Sequence, residues 1–295
     1  MRVTFKQLHG GIEQINVAAQ QFTQAQWEVS TGKRLRAPSD NPSGTQRAVL
    51  EQSAIDSIDA YSSAGGAASS RLTALDNALG SIGDQLSAAL TALQSSLGST
   101  ATQPVRDAAA ATFKGIRDGI ASAINSSIDG ARLFSGTKSN VASYVQVSGT
   151  WTYQGDSQQA TVAIDSNRNV GVSFDGQSIL KGSDANDVLT VLDNLATAAQ
   201  SNDQTTLKAG QQLLKNAFDR ATRAQSQVGY DESNVSQSGI QLANLRNAAA
   251  ARLSSVQDTN MAEAISRMSK AQTAYQAALG AVGAASKLSL MDYVR

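Results

Sequence analysis

"STGKRLRAPSDNPSG", residues 30–44, decides how the rest of the chain is read. It gathers Lys33, Arg34 and Arg36 with two of the chain's three prolines, between two long segments of helical apolar spacing. As a phosphate-binding loop it fails. The pattern G-x-x-x-x-G-K-[ST] needs a glycine where this chain has Trp27 and a Ser or Thr where it has Arg34. As a junction between helices it works. Gly32 suits a helix C-cap, and Lys33 and Arg34 suit the negative end of the helix dipole. Asn41-Pro42 reads as the N-cap and first residue of the next helix.

Outward from this turn the apolar spacing is helical. Phe5, Leu8, Ile12, Ile15, Ala19, Phe22, Gln26 and Val29 follow steps of three and four, a heptad row with one polar member. The spacing predicts a helix over about residues 5–31, weakened at its start by Gly10 and Gly11. A second row runs Leu72, Leu75, Leu79, Ile82, Leu86, Leu90, Leu93, Leu97 and breaks between Gly98 and Pro104. A third runs Val105, Ala109, Phe113, Ile116, Ile120, Ile124, Ile128. Gly115 and Gly119 form G-x-x-x-G in a segment too polar for a membrane dimer motif, so close helix packing is expected of them.

After Gly130 the period changes. "SYVQVSGTWTYQGD" and "ATVAIDSNRNVGVSFDGQSIL" alternate polar and apolar residues, with β-branched and aromatic positions and Asn/Gly turns, which predicts strands and hairpins. Helix returns from about Asp184, starting with Val188, Leu192 and Leu195 and continuing through Leu207, Leu214, Phe218 and Val228. The last segment places Met261, Ile265, Met268, Gln272, Tyr275, Leu279, Val282, Ser286 and Ser289 at heptad positions. Asn260 and Glu263 are spaced as a capping box before it. The expected fold is mainly α: an elongated helical rod with terminal coiled-coil helices and a small β-rich insertion. The expected parts are 1–44, an N-terminal core helix with its turn; 45–139, the ascending helical rod; 140–182, the β-rich outer insertion; 183–257, the descending rod; and 258–295, the C-terminal core helix. The two end helices associate either parallel or antiparallel on this reading.

The composition excludes more than it selects. The 295 residues hold 24 Lys and Arg against 24 Asp and Glu, so no basic excess points to nucleic acid or an anionic membrane. There is no cysteine, which removes disulfides, thiol catalysis and thiolate-bound metal. Aromatic residues make up 5%, and the chain is rich in Ala, Ser, Gln and Gly, which suits long thin helical packing. No apolar run suits a Sec-type signal peptide or a membrane span, so export, if any, is expected by a route without a cleaved signal. His9 is the single histidine, and a lone histidine beside an apolar row is far more often a surface or packing residue than a base or ligand. Asp231 and Glu232 are adjacent on a helical segment, point to different sides and read as a solvated turn. No catalytic, metal-binding or cofactor-binding residue is expected, no cofactor, and no enzyme.

"STGKRLRAPSDNPSG" resembles the signature turn of the bacterial flagellin family, and "QTAYQAALGAVGAASKLSLMDYV" resembles that family's terminal segment. "DGARLFSG", "YQGD" and "VSFDGQSIL" look like the family's hook–filament junction branch. Asn41 stands where the family often has Asp, a mild change at a capping position. The resemblance implies terminal helices that are unpaired or disordered in the monomer and form a concentric coiled-coil core on assembly. It implies export unfolded by a type III route to the flagellum outside the cell. It implies a structural subunit acting as an adaptor layer between hook and filament. The implied partners are other copies of the chain, an adjacent hook-associated protein on the hook side, a flagellin-side adaptor or filament subunits, and an export chaperone; neither nucleic acid nor membrane is among them. The candidates for self-assembly and partner contact are Phe5, Leu8, Ile12, Ile15, Phe22 and Val29 in the first helix, then Gly32, Arg34, Pro38, Asp40 and Asn41 in the turn. In the last helix they are Ile265, Met268, Tyr275, Leu279, Val282 and Leu290. A filament subunit is the near alternative, and a secreted helical binding protein or adhesin a more distant one.

Overall fold

The computed structural model describes the backbone of residues 2–97 and 101–293 and the side chains of residues 9–97 and 101–284. Among the described residues, seven helices carry most of the chain: α1 (Arg2–Thr31), α2 (Pro42–Ser96), α3 (Gln103–Ile124), α4 (Gly176–Leu180), α5 (Val188–Ser201), α6 (Gln204–Gln257) and α7 (Met261–Tyr293). Between α3 and α4 lie six short strands: β1 (Ser127–Ile128), β2 (Ala131–Arg132), β3 (Tyr144–Val147), β4 (Thr150–Tyr153), β5 (Thr161–Asp165) and β6 (Arg168–Gly171). They pair antiparallel as three separate hairpins, β1 with β2, β3 with β4 and β5 with β6. The chain divides into two compact units, one made of residues 1–57 and 245–295, the other of residues 58–244.

The larger unit holds the main hydrophobic core. Leu72, Leu75, Leu79, Ile82, Leu86 and Leu93 of α2 are buried together with Phe113, Ile116, Ile120 and Ile124 of α3. Leu189, Leu192 and Leu195 of α5 join them, as do Leu207, Leu214 and Val228 of α6. Each fully buried Leu, Ile or Phe contributes roughly 1.5–3 kcal/mol over leaving it exposed. The leucine row read from α2 is this core, with Leu90 and Leu97 packed at its margin. Gly119 approaches Gln85 of α2 so closely that a Cβ there would meet its side-chain oxygen, whereas Gly115 faces open space.

The β segment is tied to this core by half-buried polar side chains. Asn125 ends α3, and its amide donates to the Tyr144 carbonyl at 2.8 Å while its oxygen accepts from the Tyr144 N–H at 3.0 Å. Asp193 of α5 accepts from the Arg117 guanidinium and, at 3.3 Å, from the Trp151 indole N–H of β4. Arg71 of α2 donates to the carbonyls of Val172 and Arg132. Arg220 pairs with Asp184 at 2.7 Å and donates to the Ile179 carbonyl. Tyr144 itself is only 3% exposed, and its hydroxyl is buried without a hydrogen-bond partner. Burial, then the charges of Asp187 and Asp175, push its phenol far above the ordinary tyrosine range.

Two helical readings are corrected. Ile128 does not continue the row of α3, which ends at Ile124; it lies in β1. Asp129 and Gly130, with φ of 50° and 78°, form the turn that sends β2 back along β1. The helix expected to run from Asp184 past Val228 is two helices. Asn202 adopts φ 55°, ending α5, and the Asp203 carboxylate caps α6 by accepting from the Thr205 and Thr206 N–H groups. Asp187, not Asp184, is the N-cap of α5. Gly98 lies outside the described residues.

Candidate assembly interface

Residues 1–57 and 245–295 bring the two ends of the chain together. α1 and α7 pack side by side, and their pairing is antiparallel. A Cβ placed on Gly11 would meet Val282. The rings of Phe22 and Tyr275 stack with centroids 6.3 Å apart and planes 3° from parallel. Glu28 pairs with Arg267 at 2.7 Å, and the Thr259 N–H donates to the Gly32 carbonyl at 2.9 Å. Residue numbers fall along α7 as they rise along α1, so of the two arrangements open from sequence the antiparallel one is adopted.

The seam is built on an alternation of small and large residues. On α1 the inward positions are Gly11, Ile15, Ala18, Phe22, Ala25 and Val29; on α7 they are Ala264, Met268, Ala271, Tyr275, Ala278 and Val282. Both series advance by four and three, the heptad rhythm, with Gly or Ala at every d position and a larger side chain at every a position. Small residues at d let the backbones approach, and the larger a residues fill the space beside them. Ala18, Ala25 and Ala264 are buried.

The residues expected from sequence to make assembly contacts divide between this seam and its flank. Ile15, Phe22, Val29, Met268, Tyr275 and Val282 are in the seam. Ile12, Ile265 and Leu279 are not; they are 46%, 50% and 44% exposed and occupy the e positions on one flank of the pair. The side chains of Phe5, Leu8 and Leu290 lie outside the described residues. The alanines at d were missed because the apolar rows were followed through the larger side chains. Their spacing at 18 and 25, and again at 264, 271 and 278, was the available signal.

The signature turn has an intramolecular role. Gly32, at φ 68°, ends α1 with its N–H on the Glu28 carbonyl at 2.9 Å. Lys33 and Asp258 face each other in a short antiparallel bridge, and the Arg34 N–H donates to the Gln257 carbonyl at 2.7 Å. The Arg34 guanidinium donates to the carbonyls of Val256 at 2.8 Å and Ser255 at 3.3 Å. It therefore caps the C-terminal end of α6, not that of α1 as its position in sequence suggested. Asp40 accepts from the Ala37 N–H at 3.0 Å, closing the turn. Asn41 caps α2, its side-chain oxygen accepting from the Gly44 N–H at 2.9 Å, with Pro42 as the first helical residue. Asn260 caps α7 by accepting from the Ala262 N–H at 3.0 Å, while Glu263 faces Arg267. Pro38 lines a cavity of about 260 Å³ with Leu35, Val49 and Leu253. Arg252 and Glu51 form an ion pair at 2.8 Å that holds the Glu51 carboxylate below its usual range.

His9 is exposed. Among the described residues no group of three acidic, His or Cys side chains could hold a metal ion, and no helix is long and apolar enough to cross a membrane. What the ends offer is a jointed pair of helices with a row of exposed apolar side chains, the form of a subunit that completes its packing against neighbours.

Comparison with known proteins agrees with that form. Residues 11–139 match the bacterial flagellin N-terminal helical region and residues 211–294 the bacterial flagellin C-terminal helical region, together well over half of the chain. The chain belongs to the bacterial flagellin family. Within the family it is 25% identical over 242 residues to flagellar hook-associated protein 3 of Salmonella typhimurium, covering 72% of this chain and 76% of that one. Its fold is shared with a candidate flagellar hook-associated protein from Vibrio parahaemolyticus (TM-score 0.69, 20% identity, 74% of this chain and 100% of the other). It is also shared with the flagellar junction protein FlgL from Legionella pneumophila (TM-score 0.60, 12% identity, 72% of this chain and 100% of the other).

Proposed function

We propose that the chain is a structural subunit of the bacterial flagellum, forming the adaptor layer between hook and filament. The observation that carries the reading is the likeness to hook-associated protein 3 across nearly three quarters of the chain. The geometry supports it: family-type ends are folded into a helix pair whose outer flank carries Ile12, Ile265 and Leu279 exposed. On this reading the partners are other copies of the chain, a hook-associated protein on the hook side, and filament-side subunits. An export chaperone would hold the chain before a type III route carries it out without a cleaved signal. Copies joined head to tail by contacts that do not close give a helical layer, not a closed dimer. The work of the chain is mechanical and catalyses no reaction.

Deletion of the gene tests the reading. Cells are expected to carry complete hooks, to lose filament protein to the medium and to be non-motile, because filament subunits have no layer to build upon. Filaments of normal length on the deletion strain would refute the junction role. Recovery of this chain as the bulk of purified filament would refute it in favour of a filament subunit.

A further inference from the structure

The small-large alternation that closes the α1/α7 seam does not fix its own register. Over residues 11–29 of α1 and 264–282 of α7, every d position is Gly or Ala and every a position is a larger residue. A slide of one heptad, about 10 Å along the axis, therefore repeats the same small-against-large pairing that sets Gly11 against Val282. Phe22 would leave Tyr275 for Met268 or Val282, still an apolar partner. Apolar packing alone leaves several pairings close in energy.

The g positions are not degenerate. Glu28 is 7% exposed, a charge held inside the pair. Its carboxylate accepts from Arg267 at 2.7 Å and lies 3.5 Å from the Gln24 amide. Arg267 also donates to the Thr259 hydroxyl at 3.1 Å, just outside the start of α7. A slide of one heptad puts Glu28 opposite Ala274 or Asn260, and Arg267 opposite Gln21 or Leu35. Either way a buried carboxylate loses its cation, and an unpaired buried charge is among the costliest defects a packed interface can hold. We propose that Glu28 and Arg267 are the register-specifying pair of the terminal helices, rejecting the slipped pairings that the apolar seam tolerates. The proposal deepens the assembly reading above and rests on it for its purpose. Ile12 on α1 and Ile265 and Leu279 on α7 make one exposed flank. A slipped pair would offset the two halves of that flank by a heptad and present neighbouring copies with the wrong surface.

The test uses the full chain, which has no native cysteine. A Cβ on Gly11 would lie 4.0 Å from the Cβ of Val282, within reach of a disulfide. Gly11→Cys with Val282→Cys therefore reports the observed register. Gly11→Cys with Tyr275→Cys reports a slide one way, and Ala18→Cys with Val282→Cys a slide the other way. With Glu28 and Arg267 intact, only the 11–282 link is expected on mild oxidation. Arg267→Glu is expected to end that exclusivity, either by slipped links or by loss of all links. The exchanged pair, Glu28→Arg with Arg267→Glu, is expected to restore the 11–282 link alone. Absence of that link in the otherwise native chain, its exclusive persistence in Arg267→Glu, or failure of the exchanged pair to restore it would each overturn the proposal. Because the readout is a crosslink in the purified chain, it is independent of the motility phenotype. Loss of the exclusive 11–282 link in Arg267→Glu together with normal filaments in cells carrying that variant would overturn the junction reading and leave this inference standing.

Discussion

Ile265→Asp and Ala264→Asp change neighbouring residues of α7 and are expected to fail in different ways. Ile265 is half exposed in the single chain, so the apolar burial it loses is about half of the roughly 1.5–3 kcal/mol that a fully buried isoleucine contributes. The weaker helix propensity of Asp adds a few tenths of a kcal/mol. The expected cost to the α1/α7 pair is about 1–2 kcal/mol, and the new carboxylate stays in water. Ala264 is fully buried at a d position, so Asp there is an unpaired charge in the seam, costing roughly 3–5 kcal/mol. Amide hydrogen exchange along α7 in the purified chain separates the two. Exchange is expected to speed about 5- to 30-fold for Ile265→Asp and more than 100-fold for Ala264→Asp. Both are expected to abolish swimming, Ala264→Asp because the pair opens, Ile265→Asp because a charge enters the face that neighbouring subunits cover. Normal filaments and normal swimming with Ile265→Asp would refute the outward-flank reasoning. Equal acceleration of exchange by the two variants would refute the assignment of Ala264 to the seam and Ile265 to the flank.

Three further outcomes follow from the geometry. Leu79→Ala, in the core of the larger unit, is expected to cost about 2–5 kcal/mol and lower its melting temperature by roughly 5–15 °C in calorimetry, with little change in α7 exchange. Arg34→Ala removes the guanidinium from the last carbonyls of α6; at about 1 kcal/mol for such exposed bonds, the Asp258 and Thr259 amides are expected to exchange about fivefold faster. The folded state raises the Tyr144 pKa, so its contribution to stability is complete below the unfolded value of about 10 and is lost as pH rises above it. Tyr144→Phe deletes a hydroxyl without a partner, and denaturant melts above pH 10 are expected to fall less steeply for this variant than for the native chain.

Helices and caps were legible because their signals are local. The leucines of α2, the Gly32 C-cap and the Asn41 and Asn260 N-caps each depend on residues within a turn or two, and each stands where the spacing put it. The errors came where distant residues decide. Ile128 fits the helical row of α3, but a turn with two left-handed residues outweighs spacing at a helix end. Arg34 reads as a cap for its own helix, yet its guanidinium reaches residues more than two hundred positions away. No feature of the turn alone reveals that the end of α6 lies beside it.

The heptad rows of the terminal helices show which of the large apolar residues read from sequence close the α1/α7 seam and which stay exposed. Following the large apolar residues selected the a and e positions: Ile15, Phe22 and Val29 with Ile12 on α1, and Met268, Tyr275 and Val282 with Ile265 and Leu279 on α7. The structure uses a and d for the seam and fills d with alanine and glycine. A helix that satisfied only one partner would have no reason to carry isoleucine and leucine at e, where they stand half in water. Gln26 and Gln272, the polar members that interrupted the rows, both fall at e, on this flank and not in the seam. The g flank across the pair holds the Glu28–Arg267 ion pair. The terminal helices thus close one apolar seam within the chain and leave Ile12, Ile265 and Leu279 exposed on a second flank, the surface that the proposed assembly would cover.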